Sequence, residues 1–410
     1  MTAAPDVDFS DPDFLADPYP TLAELRDRGP MLWHEPGQVW LATTHEAVSQ
    51  TLRNRSLGRL WSDWEPAEAM EPFNSLHRNQ MMENEPPAHT RMRRLVAGAF
   101  ARGHVERMRP RVEAIARRLL DALTGDGTTD ILGGYAEPLP VLVIADLLGV
   151  PGVDHARLRA WSQAIVRMYE HDVGPETRHA ATEASTAFSA YVREVIAERR
   201  CDLRAGRRGA DLISDLIDAS EDGGRRRLTD DELVASVVLL LNAGHEASVN
   251  TFGNGIHALL AHPQELERVA SGDVDVATAI EELIRFDPPL QLFERTATKD
   301  TQIAGQRVQA GQRVAALMGS ANRDAAVFDR ADQLDLLRDP NPHVGFGMGV
   351  HFCLGAPLAR MELQISLFEL LARHPRLRLV GPAPRRPTFV LRGYERIDVD
   401  LHTPVGEDNR

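Results

Sequence analysis

Phe346-Gly347-Met348-Gly349-Val350-His351-Phe352-Cys353-Leu354-Gly355 is the stretch on which the reading of this chain turns. Ala356 and Pro357 follow it, and an apolar-periodic run from Leu358 to Arg373 predicts a helix. Proline suits the first turn of a helix, where its missing N–H is no loss. Cys353 therefore lies just ahead of a helix N-terminus, where the helix dipole and the unpaired backbone N–H groups favour a thiolate. Gly347, Gly349 and Gly355 permit tight turns and a close approach of backbone to a flat ligand. On residue chemistry alone, a buried structural cysteine in a glycine-rich loop fits equally well. Composition and spacing do not by themselves specify what the sulfur holds.

The remaining composition narrows the field. Cys201 and Cys353 are the only cysteines among 410 residues, which argues against a disulfide framework and against any multi-cysteine zinc or iron–sulfur site. Cys201 sits in the charged stretch ERRCDLR and reads as an incidental thiol. A net charge of −14, from 60 acidic and 46 basic residues, argues against bulk affinity for nucleic acid, which needs phosphate neutralisation. The opening MTAAPDVDFSDPDF is acidic and has no apolar core of a signal peptide. The apolar run Pro140–Val150 is interrupted by Asp146 and is too short to span a bilayer. A cytoplasmic protein that does not enter the membrane is expected. No Gly/Ser tract or Pro-rich spacer divides the chain, so residues 1–410 are read as a single domain large enough to enclose a cofactor.

Periodicity predicts a helix-dominated body with small β elements. Helical patterns cover Tyr19–Arg28, His45–Arg53, His89–Phe100, Val105–Leu123, Val141–Leu148, Ala180–Arg200 and Ala277–Phe286, the last stopped by Pro288 and Pro289. Val39–Thr43 alternates as a strand. Residues 295–315 alternate around Gly305 and Gly311, and Leu377–Leu401 has a similar β character. Residues 55–88 read as irregular, with Trp61, Trp64, Met70, Met81 and Met82 favouring a packed lid. Thr229 and Glu232 form a capping-box pattern ahead of a long apolar helix that Pro263 ends, ~33 residues or about 50 Å. Its centre, Val237–Leu241, has no polar face, so it is expected to cross the interior.

The spacing F-G-x-G-x-H-x-C-x-G resembles the heme-binding loop of the cytochrome P-450 family. The resemblance implies a mainly α fold, a helix-rich triangular single domain with small β-sheets. It implies heme b held by Cys353 as the metal ligand, a thiolate that donates electron density to iron and favours O–O cleavage. Phe346 is then placed near the sulfur, Gly347 and Gly355 in the heme loop, and His351 at a heme propionate. Other segments agree. Glu282 and Arg285, in EELIR, match the family's E-x-x-R on one helix face, with Arg338 of LDLLRDPNPH as the implied third member of a buried ion-pair network. Asn322-Arg323-Asp324 is similar to the family's N-R-D-P stretch, with Ala325 in place of proline. EPPAHTRMRRLV, residues 85–96, resembles the helix over one heme edge. His89 and Arg93, four apart on one face, are implied partners of the propionates, as is Arg295 of FERTAT.

Within the long helix, Ala243-Gly244-His245-Glu246-Ala247-Ser248 resembles the family's oxygen-binding stretch A-G-x-E/D-T. Small side chains at Ala243 and Gly244 then leave room for dioxygen. Glu246 matches the acid of an acid–alcohol pair that organises water and delivers protons; a structural hydrogen bond is its other reading. The alcohol is missing. Ala247 stands in its place, and Ser248 lies about 100° further round the helix. Three arrangements remain open: a polar group on the substrate completes the network, Ser248 reaches it through local unwinding, or the reaction depends less on proton delivery. The first is preferred.

The resemblance places Leu240, Leu290, Gln291, Leu292, Phe293 and Leu391 near the substrate pocket, mostly apolar with Gln291 as the one orienting polar contact; ordinary core is the equal alternative for each. Between His89 and Arg118 there are nine Arg and two Glu. This basic stretch is either a solvated surface or a docking patch for a small acidic electron carrier. The family pattern implies a ferredoxin fed by a ferredoxin reductase, since this chain carries no flavin or nicotinamide domain. The implied activity, by a monomer, inserts one atom of molecular oxygen into a small organic substrate by hydroxylation, epoxidation, dealkylation or oxidative coupling. Ala247 raises a peroxide-driven peroxygenase as an alternative. A non-catalytic heme-binding sensor is the alternative from another class.

Overall fold

Caps and prolines set the helix boundaries. In the computed structural model, which describes residues 7–123, 127–150, 155–170, 173–209, 211–221 and 228–401, the long helix spans Asp230–Ala261. Thr229 opens it. The Thr229 hydroxyl accepts from the Glu232 N–H at 3.1 Å, and the Glu232 carboxylate accepts from the Thr229 N–H at 2.9 Å, so two orphan donors are satisfied reciprocally. His262 breaks the run and Pro263 starts a separate helix, Pro263–Ala270. By length and composition the long helix could cross a membrane, but 72% of its most apolar window is buried inside the protein. Helix Val276–Phe286 is capped by Asp275, whose carboxylate accepts from the Thr278 N–H at 3.2 Å.

The described residues form two compact units. The first draws on the chain up to Asn54, on Met108–Leu139 and on the chain from Ala247 onward. Its mixed sheet joins Met31–His34 antiparallel to Val39–Ala42, which runs parallel to Arg313–Leu317, which in turn pairs antiparallel with Leu292–Ala297. The parallel pairing brings the first 50 residues against the segment after 310, a contact that local periodicity cannot announce. Leu22, Leu25, Leu32, Leu41, Leu292, Leu317 and Phe389 form the core on this sheet. Each fully buried side chain of this kind contributes about 1.5–3 kcal/mol. Thr301–Ile303 and Gln306–Val308 make a hairpin turned at Gly305, whose φ of +81° suits glycine. Asp398–Asp400 lies between Thr128–Asp130 and Arg378–Leu379, both antiparallel.

The second unit comprises Arg55–Arg107 and Pro140–Glu246 and is helical. Its longest wholly internal helix, Pro175–Arg204, packs on His155–Val166 and on Ala67–Arg78. The last corrects the expectation of irregular chain over 55–88. Met70, Phe73, Asn74, Leu76 and His77 are buried on one side of a 12-residue helix that carries Pro72 within it. Proline removes one backbone hydrogen bond, and packing of that face outweighs the loss.

Candidate active site

The cysteine loop is built from backbone bonds around two glycine turns. The Gly347 N–H donates to the Val344 carbonyl at 2.8 Å, and the Cys353 N–H returns to the Phe346 carbonyl at 2.9 Å. Gly347 and Gly349 have φ of +68° and +72°. A Cβ on Gly349 would also lie 2.5 Å from the Leu52 carbonyl oxygen, so both conformation and space demand glycine there. Val344 is anchored by its N–H to the Asn322 Oδ1 at 2.8 Å. Gly355 then precedes helix Ala356–Arg373, with Pro357 in its first turn. Cys353 stands three residues before that helix, is partly exposed, and is close to the positive end of its dipole.

The loop has room beside it for a bound group that Cys353 would hold. Among the described residues no three His, Cys, Asp or Glu side chains cluster in a way that could hold a bare ion. A Cβ built on Gly355 meets nothing within 4 Å, which leaves open space beside the sulfur loop. Along the long helix, where residues 233–242 and 249–256 are buried, Ala243 is exposed and Gly244, Ala247 and Ser248 are partly open.

The first unit also holds the ion pairs around the loop. Arg285, fully buried, donates Nε and Nη2 to the two oxygens of Glu282 at 2.7 and 2.8 Å. It donates as well to the carbonyls of Asn322, Ala331 and Gln333. Glu282 accepts further from Arg338 Nε at 3.1 Å, Asn341 Nδ2 at 3.0 Å and the Asp335 N–H at 2.9 Å. Glu282, Arg285 and Arg338 are therefore brought together, and they fasten the segment that leads into the cysteine loop. Arg295 is buried, stacked 4.3 Å over the Phe293 ring. His351 ends a short 3-10 turn, Gly349–His351, and is partly exposed.

Sequence reasoning passed over a second set. Glu281, the neighbour of Glu282, accepts from Arg360 Nε at 2.6 Å and Nη2 at 2.7 Å, and from His343 Nε2 at 3.0 Å. Burial alone would raise its carboxyl, but the bonds from Arg360 and His343 outweigh it and hold the group at about 2. The doubled glutamate in EELIR was the available signal. Glu362 was also missed. It is buried in helix Ala356–Arg373, where desolvation pushes its carboxyl well above the usual range against the opposing hydrogen bond from Ser248. Ser248 is its hydrogen-bond partner.

The fold also places the other candidate residues. Gln291 and Leu292 are both buried. The Gln291 amide donates to the Pro288 carbonyl at 2.8 Å and to Tyr19 Oη at 3.3 Å, wholly inside the first unit, and Leu292 belongs to the sheet core. Strand alternation sends Phe293 to the other face, partly exposed. Leu290 and Leu391 form an isolated antiparallel bridge and are both partly exposed. In the second unit Leu240 is buried, as is His89, while Arg93 is partly exposed on helix Ala88–Val96. Gly244 has a packing reason of its own, since a Cβ there would come within 3.1 Å of Ile144 Cγ1. Glu246 is buried with one oxygen 3.8 Å from His245 Nδ1. The two hydroxyls that follow Ala247 are engaged, Ser248 by Glu362 and Thr251 by the Ala247 carbonyl at 2.6 Å.

Comparison with known proteins gives consistent matches. The family model described as "Cytochrome P450" matches residues 163–272 and 276–380. A cytochrome P450 monooxygenase, PikC, of Streptomyces venezuelae is 36% identical over 94% of this chain and 92% of its own length. Nocardicin C N-oxygenase of Nocardia uniformis subsp. tsuyamanensis is 38% identical over 92% of this chain and 93% of its own. Among solved structures, P450BioI in complex with an acyl carrier protein ligated to hexadec-9Z-enoic acid superposes with a TM-score of 0.88. It is 31% identical and covers 94% of this chain and 99% of its own.

Proposed function

Since the chain belongs to the cytochrome P450 family, and is therefore a heme-thiolate monooxygenase with heme b as its cofactor, we propose that it oxidises a small organic molecule of secondary metabolism or catabolism with electrons from a separate ferredoxin. The observation that carries the reading is Cys353, pinned by its own N–H in a double-glycine turn just before a helix N-terminus. When bound, heme supplies an iron centre for oxygen activation, and a thiolate ligand favours O–O cleavage.

The chain's own residues set the conditions for that chemistry. Cys353 is proposed to hold the heme iron through its sulfur, with Phe346, Gly347 and Gly355 shaping its loop. Arg295 and His351, and from the second unit His89 and Arg93, are the proposed propionate partners on the strength of the sequence resemblance. Ala243 and Gly244 keep the helix surface low. Glu246 is the proposed proton donor to the water network. Ala247 supplies no hydroxyl, and the engagement of Ser248 with Glu362 and of Thr251 with the Ala247 carbonyl supports the reading that a polar group of the substrate completes the network. Leu290, Phe293 and Leu391 remain proposed contacts to an apolar substrate.

One relative is named for oxygenation of nocardicin C, and the present substrate is proposed to be a product of comparable biosynthetic chemistry. The ferredoxin is proposed to dock on the arginine-rich stretch, where Arg94, Arg107, Arg111 and Arg118 are exposed. The protein is proposed to act as one cytoplasmic domain. Ala247 favours one second reading, a peroxide-driven peroxygenase; turnover with peroxide and none with a ferredoxin system would select it.

The test is spectroscopic. Reduced, carbonyl-bound protein is expected to show the thiolate signature, and Cys353→Ala is expected to lose it. A wild-type protein without the signature, or a variant that keeps it, overturns the proposal. A screen of small molecules by the heme spin-state shift, followed by product analysis, then identifies the substrate.

A further inference from the structure

Helix Val276–Phe286 carries two adjacent glutamates, and consecutive residues point about 100° apart on a helix. Glu282 uses its direction to hold the chain that enters the cysteine loop. Glu281 uses the other direction to hold Arg360, on the helix that leaves the loop. The guanidinium is gripped in a two-point fork, which fixes its plane as well as its position. Its Cζ lies 4.3 Å from the centroid of the Phe346 ring, within cation–π range. Phe346 is itself bonded to the cysteine, its carbonyl accepting the Cys353 N–H at 2.9 Å. His343 completes the frame. Its Nδ1 accepts from the Gly345 N–H at 3.1 Å, its Nε2 bonds Glu281, and its ring centroid is 6.1 Å from that of Phe346.

From this chain of contacts we propose that Arg360, oriented by Glu281 and His343, is a positioning residue for the Cys353 ligand that presents positive charge to it across the Phe346 ring and so sets the reduction potential of the bound iron. The inference rests on the reading of Cys353 as that iron's ligand. The physics is one of sign. Reduction adds one negative charge at the iron–sulfur centre, and a nearby cation stabilises that state while a nearby anion opposes it. The ion pair acts as a dipole whose positive end faces Phe346. Deleting the arginine charge leaves Glu281 unbalanced. Deleting the glutamate charge leaves Arg360 unbalanced. The two substitutions therefore push the potential in opposite directions, whereas mere loosening of the loop would move both the same way.

The experiment is a potentiometric titration of the heme-loaded wild type, Arg360→Met, Arg360→Lys and Glu281→Gln, each checked by its reduced, carbonyl-bound spectrum. Arg360→Met is expected to lower the ferrous-to-ferric ratio at fixed potential by up to about tenfold, which is about 59 mV for a one-electron couple. Glu281→Gln is expected to raise it. Arg360→Lys, which keeps the charge and loses the fork, should lie nearer to wild type than Arg360→Met. Shifts of the same sign, or unchanged potentials in variants that keep the thiolate signature, overturn the inference. If Arg360→Met does not take up heme, the upward shift in Glu281→Gln still decides, and its absence is fatal. A wild type without the thiolate signature would instead sink the ligand assignment itself.

Discussion

At position 247 a methyl group stands where the family pattern has a hydroxyl, and the hydroxyls at 248 and 251 are already committed. If a polar group of the substrate fills the gap, restoring the alcohol should bring little. Ala247→Thr is expected to leave the coupling of reductant to product within about twofold of wild type with the substrate found by the spin-state screen, a change worth only about 0.4 kcal/mol. A large gain in coupling would show that the missing hydroxyl was limiting. Ser248 is assigned a different task, to satisfy the buried Glu362 carboxyl. Ser248→Ala leaves that carboxyl without its partner, a loss of about 1–3 kcal/mol, read as a lower urea midpoint at unchanged slope. Unchanged stability would mean that Glu362 finds another partner. Glu246 and Ala247 could be read from the sequence because each occupies its own place in a contiguous pattern. Ser248 could not, since its partner lies 114 residues further on (362 minus 248).

Elements lying next to one another in the chain were the most legible. The capping box at Thr229, the prolines at 263, 288 and 289, and the glycine turns at 347 and 349 are all local instructions, and the structure follows them. The helix Ala67–Arg78 was hidden by Pro72, because its stability comes from packing against Pro175–Arg204 and not from propensity. Glu281 was hidden for a related reason: Arg360 and His343 are distant in sequence, and E-x-x-R names only its neighbour. Gln291 had two readings, pocket or core, because a polar side chain near a strand start can turn either way, and here its amide is bonded to Tyr19 and Pro288. The loop glycines give a graded test at this scale. Gly305 has φ +81° and open space around it, so Gly305→Ala should cost only the left-handed penalty of about 1–2 kcal/mol. Gly349→Ala adds a collision with the Leu52 carbonyl to the same penalty. It is expected to lower the thermal midpoint further and to weaken heme retention. Equal effects of the two would mean that the loop moves freely away from Leu52.

At the scale of the whole molecule, charge bears on two measurable behaviours. The exposed arginines of the basic stretch stand out in a chain of net charge −14. Charge reversal at Arg107 should slow reduction by an acidic ferredoxin and flatten the salt dependence of that rate; an unchanged salt dependence would move the docking site elsewhere. The second behaviour is acid stability. Burial lowers His77 from 6.5 to about 4, inside the second unit between the Phe73 carbonyl and Tyr169, with Glu83 and Arg59 as its charged neighbours. The unfolded chain therefore binds a proton below pH 6.5 that the folded chain refuses until about pH 4, so stability is full above 6.5 and falls through that window. With about 1.4 kcal/mol for each pH unit of separation, His77 alone accounts for on the order of 3 kcal/mol. His257, lowered to about 4 first by burial and then by Arg385, acts in the same sense. Below pH 4.5 the carboxylates take over. Glu281, held at about 2, and Asp287, held below its usual value by Arg385 and Arg392 despite its burial, stabilise the fold while ionised and lose that contribution as they are protonated. Urea unfolding across pH 7 to 3 should thus show a decline that begins near pH 6.5 and continues without a plateau. Comparing His77→Gln with wild type isolates the first part from any loss of cofactor in acid: the variant's decline between pH 6.5 and 4 should be shallower, whatever its stability at neutral pH. Parallel curves for the two proteins would mean that the buried imidazole takes its proton as readily in the folded chain as in the unfolded one.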